Sequence, residues 1–368
     1  MINGKNILFA ISSLGFGHAS RALPTIKYFA RNNKIFIISF SEALMLLKSE
    51  LEGLGCTFHE YKDYPLSKRG KGLMFFVYGI IGLIKTFSIM KKEHILTEDF
   101  VSKNNIDFII TDCRYGCYSY KVPSFIVAHQ ISFSFPKALK FIKILSDAFN
   151  YQHFKRFTKV FVPDFEGVHK NLSGELSHNK LAEKLQAEYV GILSSLSKLK
   201  IEKDIDYLFI NSGFLKEYLD SFFQRFMDEA KKLPGVKVLV KGDMTKDEHY
   251  FEDNNIEIYS YATGDLRNVL LNRAKVIISR SGYSTVMDLV EIDGIGILIP
   301  TPTQTEQEYL ARYYIDENSF VAFNSQKNFT LEGIDKRIRN TAFFRTEEKK
   351  TRDSVERIEA IISKYLIN

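Results

Sequence analysis

The tightest constraint on this chain is a pattern that occurs twice: an apolar, β-branched run breaks into a Ser/Gly turn, and helical spacing follows. The first copy is Asn6 to Ser12 (NILFAIS), the turn Ser13-Leu14-Gly15-Phe16-Gly17-His18, and a helix through Ala30. The second is Val276-Ile277-Ile278, the turn Ser279-Arg280-Ser281-Gly282, and a helix from Tyr283 to Glu291. Continuous apolar runs suit strands buried on both faces, which is the condition of a parallel sheet. Parallel neighbours need a crossover, usually a helix, so the pattern predicts doubly wound α/β layers. In such layers ligands gather beyond the carboxyl ends of the strands, where both turns lie.

The alternation continues between and beyond the two copies. Helix 42–54 and strand 56–61 are followed by strand Ile106 to Thr111, which ends at Asp112, and strand Ser124 to Ala128, which ends at His129-Gln130. After Tyr189 to Leu193 it restarts. Strand Tyr207 to Asn211 meets Ser212-Gly213; strand Val236 to Val240 ends at Lys241-Gly242; strand Ile256 to Tyr259 leads into Tyr261. Strand Gly296 to Ile299 gives Pro300 to Gln304 and a helix with Glu306, Gln307 and Glu308 in its first turn. A chain of 368 residues is long for one core. Two Rossmann-like domains are expected, 1–192 and 204–345, with a linker at 193–203 and a C-terminal helix, 346–368, packing back on the first domain.

The chemistry expected of each copy differs. At the second, unpaired N–H groups and the positive helix end make an anion seat, and Asp288 follows one turn later. That arrangement suits a nucleotide, diphosphate on the helix end and ribose hydroxyls on the acid; an ordinary turn with Ser281 as N-cap is the alternative. At the first copy, Gly15 and Gly17 allow a close ligand approach. The spacing is GxGH, neither a GxGxxG fingerprint nor a P-loop. His18 reads equally as a hydrogen-bonding residue at a helix start or as a base.

Composition removes other classes. Three cysteines (Cys56, Cys113, Cys117), with no CxxC and no His/Cys cluster, argue against a disulfide framework or structural zinc and suggest a reducing, cytoplasmic setting. No secretion signal is read at the N-terminus. The net charge of +6 is uneven: residues 1–165 carry 22 Lys and Arg against 12 Asp and Glu, the remainder 28 against 32. A basic first half suits anionic headgroups or phosphorylated acceptors, and no nucleic-acid-binding motif is present. The 12-residue run Leu73 to Ile84 is short of the ~20 needed to span a bilayer. It reads as a core helix or as a surface-membrane helix rimmed by Lys85, Lys91 and Lys92. Residues Phe133 to Phe149, with Lys137, Lys140 and Lys143, form a second candidate for peripheral contact with the inner face of the cell membrane.

GxGHxxR (Gly15, Gly17, His18, Arg21), then RSGYSTVMDL and PTPTQTEQEYLA, resemble the GT-B glycosyltransferases of family 28, typified by the N-acetylglucosaminyltransferase of peptidoglycan lipid-intermediate synthesis. The sequence is most similar to a prokaryotic branch sharing the GxGH loop and a TEQEYLA-like segment, and the likeness runs from Asn6 to about Ala311. The resemblance implies two Rossmann-like domains facing a central cleft and transfer of a hexose, such as GlcNAc, from a UDP-sugar to a lipid or lipid-linked hydroxyl. Inversion and a histidine base are implied, without metal or cofactor. Ser281, Gly282 and Thr285 would seat the diphosphate together with Ser212, Gly213, Arg280 and Lys241. Asp288 would bind the ribose, where the family has Glu. Tyr259 and Tyr261 would flank the uracil, and Gln304, Glu306 and Gln307 the donor sugar. His18 would be the base, oriented by Asp112, with Gly15, Gly17, Arg21, His129 and Gln130 on the acceptor side. A nucleotide-sugar 2-epimerase of the same fold and a non-catalytic sugar-nucleotide-binding protein are the competing readings.

Overall fold

The computed structural model describes the chain except residues 65–72, 135–139, 168–169, 212–218, 244, 254, 347–349 and 367–368. The first-half order is β1 (Asn6–Ile11), α1 (Phe16–Ala30), β2 (Lys34–Ser39), α2 (Ser41–Glu50), β3 (Thr57–Glu60), α3 (Leu73–Asn104), β4 (Phe108–Asp112) and β5 (Ser124–Val127). Then come α4 (Lys140–Phe154), β6 (Lys159–Val162), α5 (Lys180–Lys184) and β7 (Glu188–Tyr189). These seven strands form one sheet in the order β3-β2-β1-β4-β5-β6-β7, every pairing parallel. β1 is buried along nearly its whole length, as its unbroken apolar run requires.

The second half repeats the plan with β8 (Ile205–Ile210), α6 (Leu219–Ala230), β9 (Lys237–Val240), β10 (His249–Asp253), β11 (Ile256–Tyr259), α7 (Gly264–Arg273), β12 (Ala274–Arg280) and α8 (Tyr283–Glu291). β13 (Gly296–Ile299), α9 (Thr305–Asp316), β14 (Val321–Ala322), α10 (Ile334–Arg339) and α11 (Thr351–Ser363) complete it. The sheet order is β10-β11-β9-β8-β12-β13-β14, with only β10 antiparallel, on the edge. This is a GT-B architecture. In each sheet the strand order reverses beside its first strand, between β1 and β4 and between β8 and β12. The crevice at the carboxyl ends of those strands is where such sheets bind ligands.

The halves are stitched together twice. Phe165, Leu172, Leu176, Ile192 and Leu196 leave the first sheet and pack in the core of the second, against Tyr283, Leu310 and Tyr314. Conversely, α11 sends Val355, Ile358, Ile361 and Ile362 into the core of the first domain, and its Glu359 accepts from the Tyr28 hydroxyl at 2.6 Å. Three short or edge elements, β10, β7 and β14, escape sequence reading because two to five residues carry too little periodicity. The apolar run from Leu73 proves to be the start of the 32-residue α3. Its side chains through 85, together with Lys137, Lys140, Ser212, Gly213 and Phe214, lie outside the described side chains.

Candidate active site

The β1–α1 loop turns at Gly15, whose φ of 91° suits glycine. Gly17 follows where the two domains come close: a Cβ there would lie 2.8 Å from Ser284 Oγ of α8. Ser12 and Ser13 fasten the loop to Asp63, with both hydroxyls donating to one carboxylate oxygen at 3.0 Å. His18 then falls in the first turn of α1 and Arg21 one turn later on the same face.

Both residues converge on Asp112, at the carboxyl end of β4. His18 Nδ1 is 2.7 Å from Asp112 Oδ1, while Arg21 donates through Nε to Oδ2 at 2.5 Å and through Nη2 to Oδ1. The carboxylate can only accept, so Nδ1 carries the hydrogen and Nε2 is left to exchange a proton. Burial opposes charge on His18, but the Asp112 carboxylate outweighs it and lifts the ring to about 10, with Arg21 acting in the opposite sense. Burial pushes Asp112 up, yet Arg21 and His18 together hold it well below the usual carboxylate range. The ligand atoms of His18, Asp112 and Cys113 lie within 4.8 Å of one another. The Arg21 guanidinium already places its charge on this carboxylate and an Nη2–H on Cys113 Sγ at 3.6 Å, so the grouping is an ion-pair cluster already supplied with a cation.

His129, just beyond β5, extends the cluster. Its Nδ1 lies 2.6 Å from Arg21 Nη1 and its Nε2 3.0 Å from Glu306 Oε1, in the first turn of α9. Arg21 can only donate and a carboxylate only accept, which fixes a neutral ring protonated at Nε2. Burial lowers the His129 pKa, in keeping with that state. The ring stacks on Tyr283 at 4.5 Å and 8°, and Tyr283 donates to Pro163 O at 2.8 Å. Gln130 is half-buried on the same loop.

Beside this cluster lies an interdomain cleft open to solvent. Its first-domain wall includes Phe16, Gly17 and Ser20, and its second-domain wall Tyr261, Arg267, Thr285 and Asp288. Asp288 is almost fully buried; Arg267 Nη2 donates to its Oδ2 at 2.6 Å and Ser194 Oγ to its Oδ1. Arg267 Nη1 and Asn211 Nδ2, on residues of the same wall, are buried donors without partners among the described residues. The N-cap of α8 is Gly282, which has no side chain to cap the helix. Ser281 Oγ donates to Gln307 O at 2.9 Å, so the turn is not closed by a serine cap.

Of the expected donor residues, Tyr261, Thr285 and Asp288 line this cleft, whereas Lys241, Arg280, Ser281, Gly282, Gln304, Glu306 and Gln307 do not. Gln307 Oε1 accepts from Thr301 N at 2.9 Å, and its amide lies 3.4 Å from Gln304 Oε1. Two expected diphosphate cations are committed elsewhere. Arg280 lies 3.2 Å from the centroid of the Phe222 ring and donates to Pro300 O and Gln326 Oε1, both at 3.1 Å. Burial pulls it down to about 9, still charged at neutral pH. Lys241 donates to the Tyr250 hydroxyl at 2.8 Å, over the rings of Phe223 and Tyr250. Tyr259 gives its hydroxyl to Glu257. Arg267, Ser194 and Asn211 were not anticipated. An arginine in α7, seven residues before the start of β12, carries no signal until the fold sets it against Asp288.

Residues 235–365 match the model of the glycosyltransferase family 28 C-terminal domain. Among solved structures, the glycosyltransferase of kitacinnamycin aligns with a TM-score of 0.63 at 11% identity, covering 99% of this chain and 100% of that one. The calicheamicin glycosyltransferase CalG4 aligns at 0.60 and 14%, covering 99% of each. MurG of Acinetobacter baumannii aligns at 0.53 and 11%, covering 98% of this chain and 99% of that one. UDP-N-acetylglucosamine 2-epimerases share the fold as well. No curated protein is similar in sequence at a significant level.

Proposed function

We propose that this chain is a glycosyltransferase that moves a hexose from a UDP-sugar to a hydroxyl of a lipid or lipid-linked acceptor, inverting the anomeric centre. The observation that carries the reading is the His18–Asp112 pair, half-buried at His18 and one residue from the cleft-lining Gly17, with an acid and two donors unpartnered among the described residues on the second-domain wall. The ribose hydroxyls donate to Asp288, and the diphosphate sits at the uncapped start of α8, where the positive helix end receives the developing charge. His18 Nε2 takes the acceptor proton as the new O–C bond forms. The bond from the anomeric carbon to the diphosphate oxygen breaks, and its electrons leave with the nucleotide. Because Asp112 keeps His18 protonated at rest, the ring must lose that proton before it can act, so turnover climbs as pH rises from 7 towards about 10.

The acceptor class is argued from α4. Phe141, Ile144 and Leu145 are 71%, 58% and 55% exposed, an apolar strip that suits an acyl or prenyl surface. Phe87 of α3 meets Phe149 of α4 at 5.2 Å, which braces the strip. Among the described residues, no helix is long and apolar enough to cross a membrane, so the contact proposed is peripheral.

The competing 2-epimerase reading draws on the two histidines and two acids gathered around Arg21. A turnover screen of the purified protein against a panel of nucleotide sugars, with and without lipid acceptors, separates the two. Transfer that disappears in His18→Gln while UDP still binds supports the proposal. Epimerised donor without transfer overturns it in favour of the alternative, and binding without turnover of any donor reduces the protein to a binding module.

A further inference from the structure

Asp112, Arg21, His129 and Glu306 form one unbroken chain of hydrogen bonds that begins beside His18 in the first domain and ends on α9 of the second. Glu306 reads from the sequence as a ligand for donor sugar, yet its Oε1 is spent on His129. Arg21 depends on that bond. Its Nε and Nη2 hold Asp112, but Nη1 needs an acceptor at His129 Nδ1, and Nδ1 accepts only while the ring hydrogen sits on Nε2. Glu306 is what fixes that tautomer. Without it the ring is free to carry its hydrogen on Nδ1, where two donors would meet and push Arg21 off its two-point grip.

We propose that Glu306 is a positioning residue for His18, reaching it through His129 and Arg21, so that the His18–Asp112 pair is fully set only when the donor domain is closed on the acceptor domain. The groups facing His18 are Arg21 on its own helix, Asp112 from β4, Cys113 with Tyr115 behind it, His129 from beyond β5 and Glu306 from α9. With His129 neutral, the charges of Arg21 and protonated His18 balance those of Asp112 and Glu306. Removing the Glu306 charge therefore makes the His18 proton easier to lose. The catalytic consequence rests on the reading of His18 as the base; the coupling between the side chains does not.

Glu306 is more than a quarter exposed, and circular dichroism of each variant checks that the fold is kept. Glu306→Gln removes the charge and keeps an acceptor; Glu306→Ala removes both. The readout is imidazole nitrogen NMR of the full chain, with His18→Gln and His129→Gln used to assign the two rings. His18 is expected to titrate lower in Glu306→Gln, where only the carboxylate charge is lost, and higher in Glu306→Ala than in Glu306→Gln, because an Arg21 displaced from Asp112 no longer lowers it. His129 is expected to lose its single Nε2-protonated form in Glu306→Ala alone. UDP affinity should stay within about twofold, since a tenfold factor is ~1.4 kcal/mol and no such contact is lost. A His129 ring that keeps its single Nε2-protonated form in Glu306→Ala, or a His18 titration that is the same in the two variants, overturns the proposal. So does a tenfold loss of UDP-sugar affinity with His18 unmoved, which would make Glu306 a sugar ligand. If the wild type binds no nucleotide sugar, the proposed function fails, while the His18 titration still decides this coupling.

Discussion

Replacing Asp112 by Asn tests the electrostatic reading of the site most directly. Asp112 and Arg21 are each 2% exposed, so the substitution strips a buried guanidinium of its counter-charge. Removing one member of a buried pair costs about 3–5 kcal/mol. Asn keeps one acceptor oxygen, and Arg21 keeps His129, so the lower figure, about 3 kcal/mol, is expected. His18 responds more strongly still. Without Asp112, burial and Arg21 both act to lower it, and it falls from about 10 to below its ordinary 6.5.

The pH dependence follows from both shifts. His18 is raised, so its contribution is fully present below 6.5 and is lost as pH rises through about 10. Asp112 is depressed, so its contribution is present above 3.8 and is lost only as pH falls through its lower folded value. The stability gap between wild type and Asp112→Asn is therefore widest between 3.8 and 6.5 and narrows towards pH 10. The chain has no Trp, so urea unfolding is best followed by far-ultraviolet circular dichroism at several pH values, with histidine NMR alongside. A gap below about 0.5 kcal/mol in that window, one that widens with alkali, or an unmoved His18 would refute the reasoning.

Three further outcomes follow from the cleft, the domain join and α4. Arg267→Met should weaken UDP binding about tenfold by calorimetry, ~1.4 kcal/mol, because a buried donor of the cleft wall is lost and the grip on Asp288 with it; unchanged affinity would take Arg267 out of the site. Tyr314→Phe removes the bond from a fully buried hydroxyl to Leu172 O at 2.8 Å. It should lower unfolding stability by about 1–2 kcal/mol; a neutral effect would show that this contact does not hold the domains together. Phe141→Asp with Ile144→Asp should abolish flotation with anionic vesicles at low salt while leaving circular dichroism unchanged; vesicle binding at the wild-type level would remove α4 as the contact.

Much of the architecture is written in local chemistry. The unbroken apolar runs at β1, β4, β8 and β12 leave no solvent face for an antiparallel sheet, so parallel strands and helical crossovers follow from the residues themselves. The turns after β1 and β12 were legible for the same reason. Once a strand must be buried, a Ser/Gly break and a helical spacing have few other uses, and His18, Asp112 and Asp288 stand at predictable distances from them. Aromatic and charged residues were less readable. Arg280 looks like a phosphate ligand from its place in the RSG turn, but only the fold sets Phe222 beneath it.

What the sequence determined by itself is thus the repeated α/β plan and the edge of each sheet at which chemistry would gather. Which distant residues meet belongs to the tertiary structure. Arg21 with His129 and Glu306, Asp288 with Arg267 and Ser194, and α11 with the first core are separated by 21 to more than 300 positions in the chain. Periodicity reports the direction a side chain takes from its own backbone, over a turn or two. It holds no record of what a distant strand or helix brings to the other side, and the pairing of buried charges is decided there.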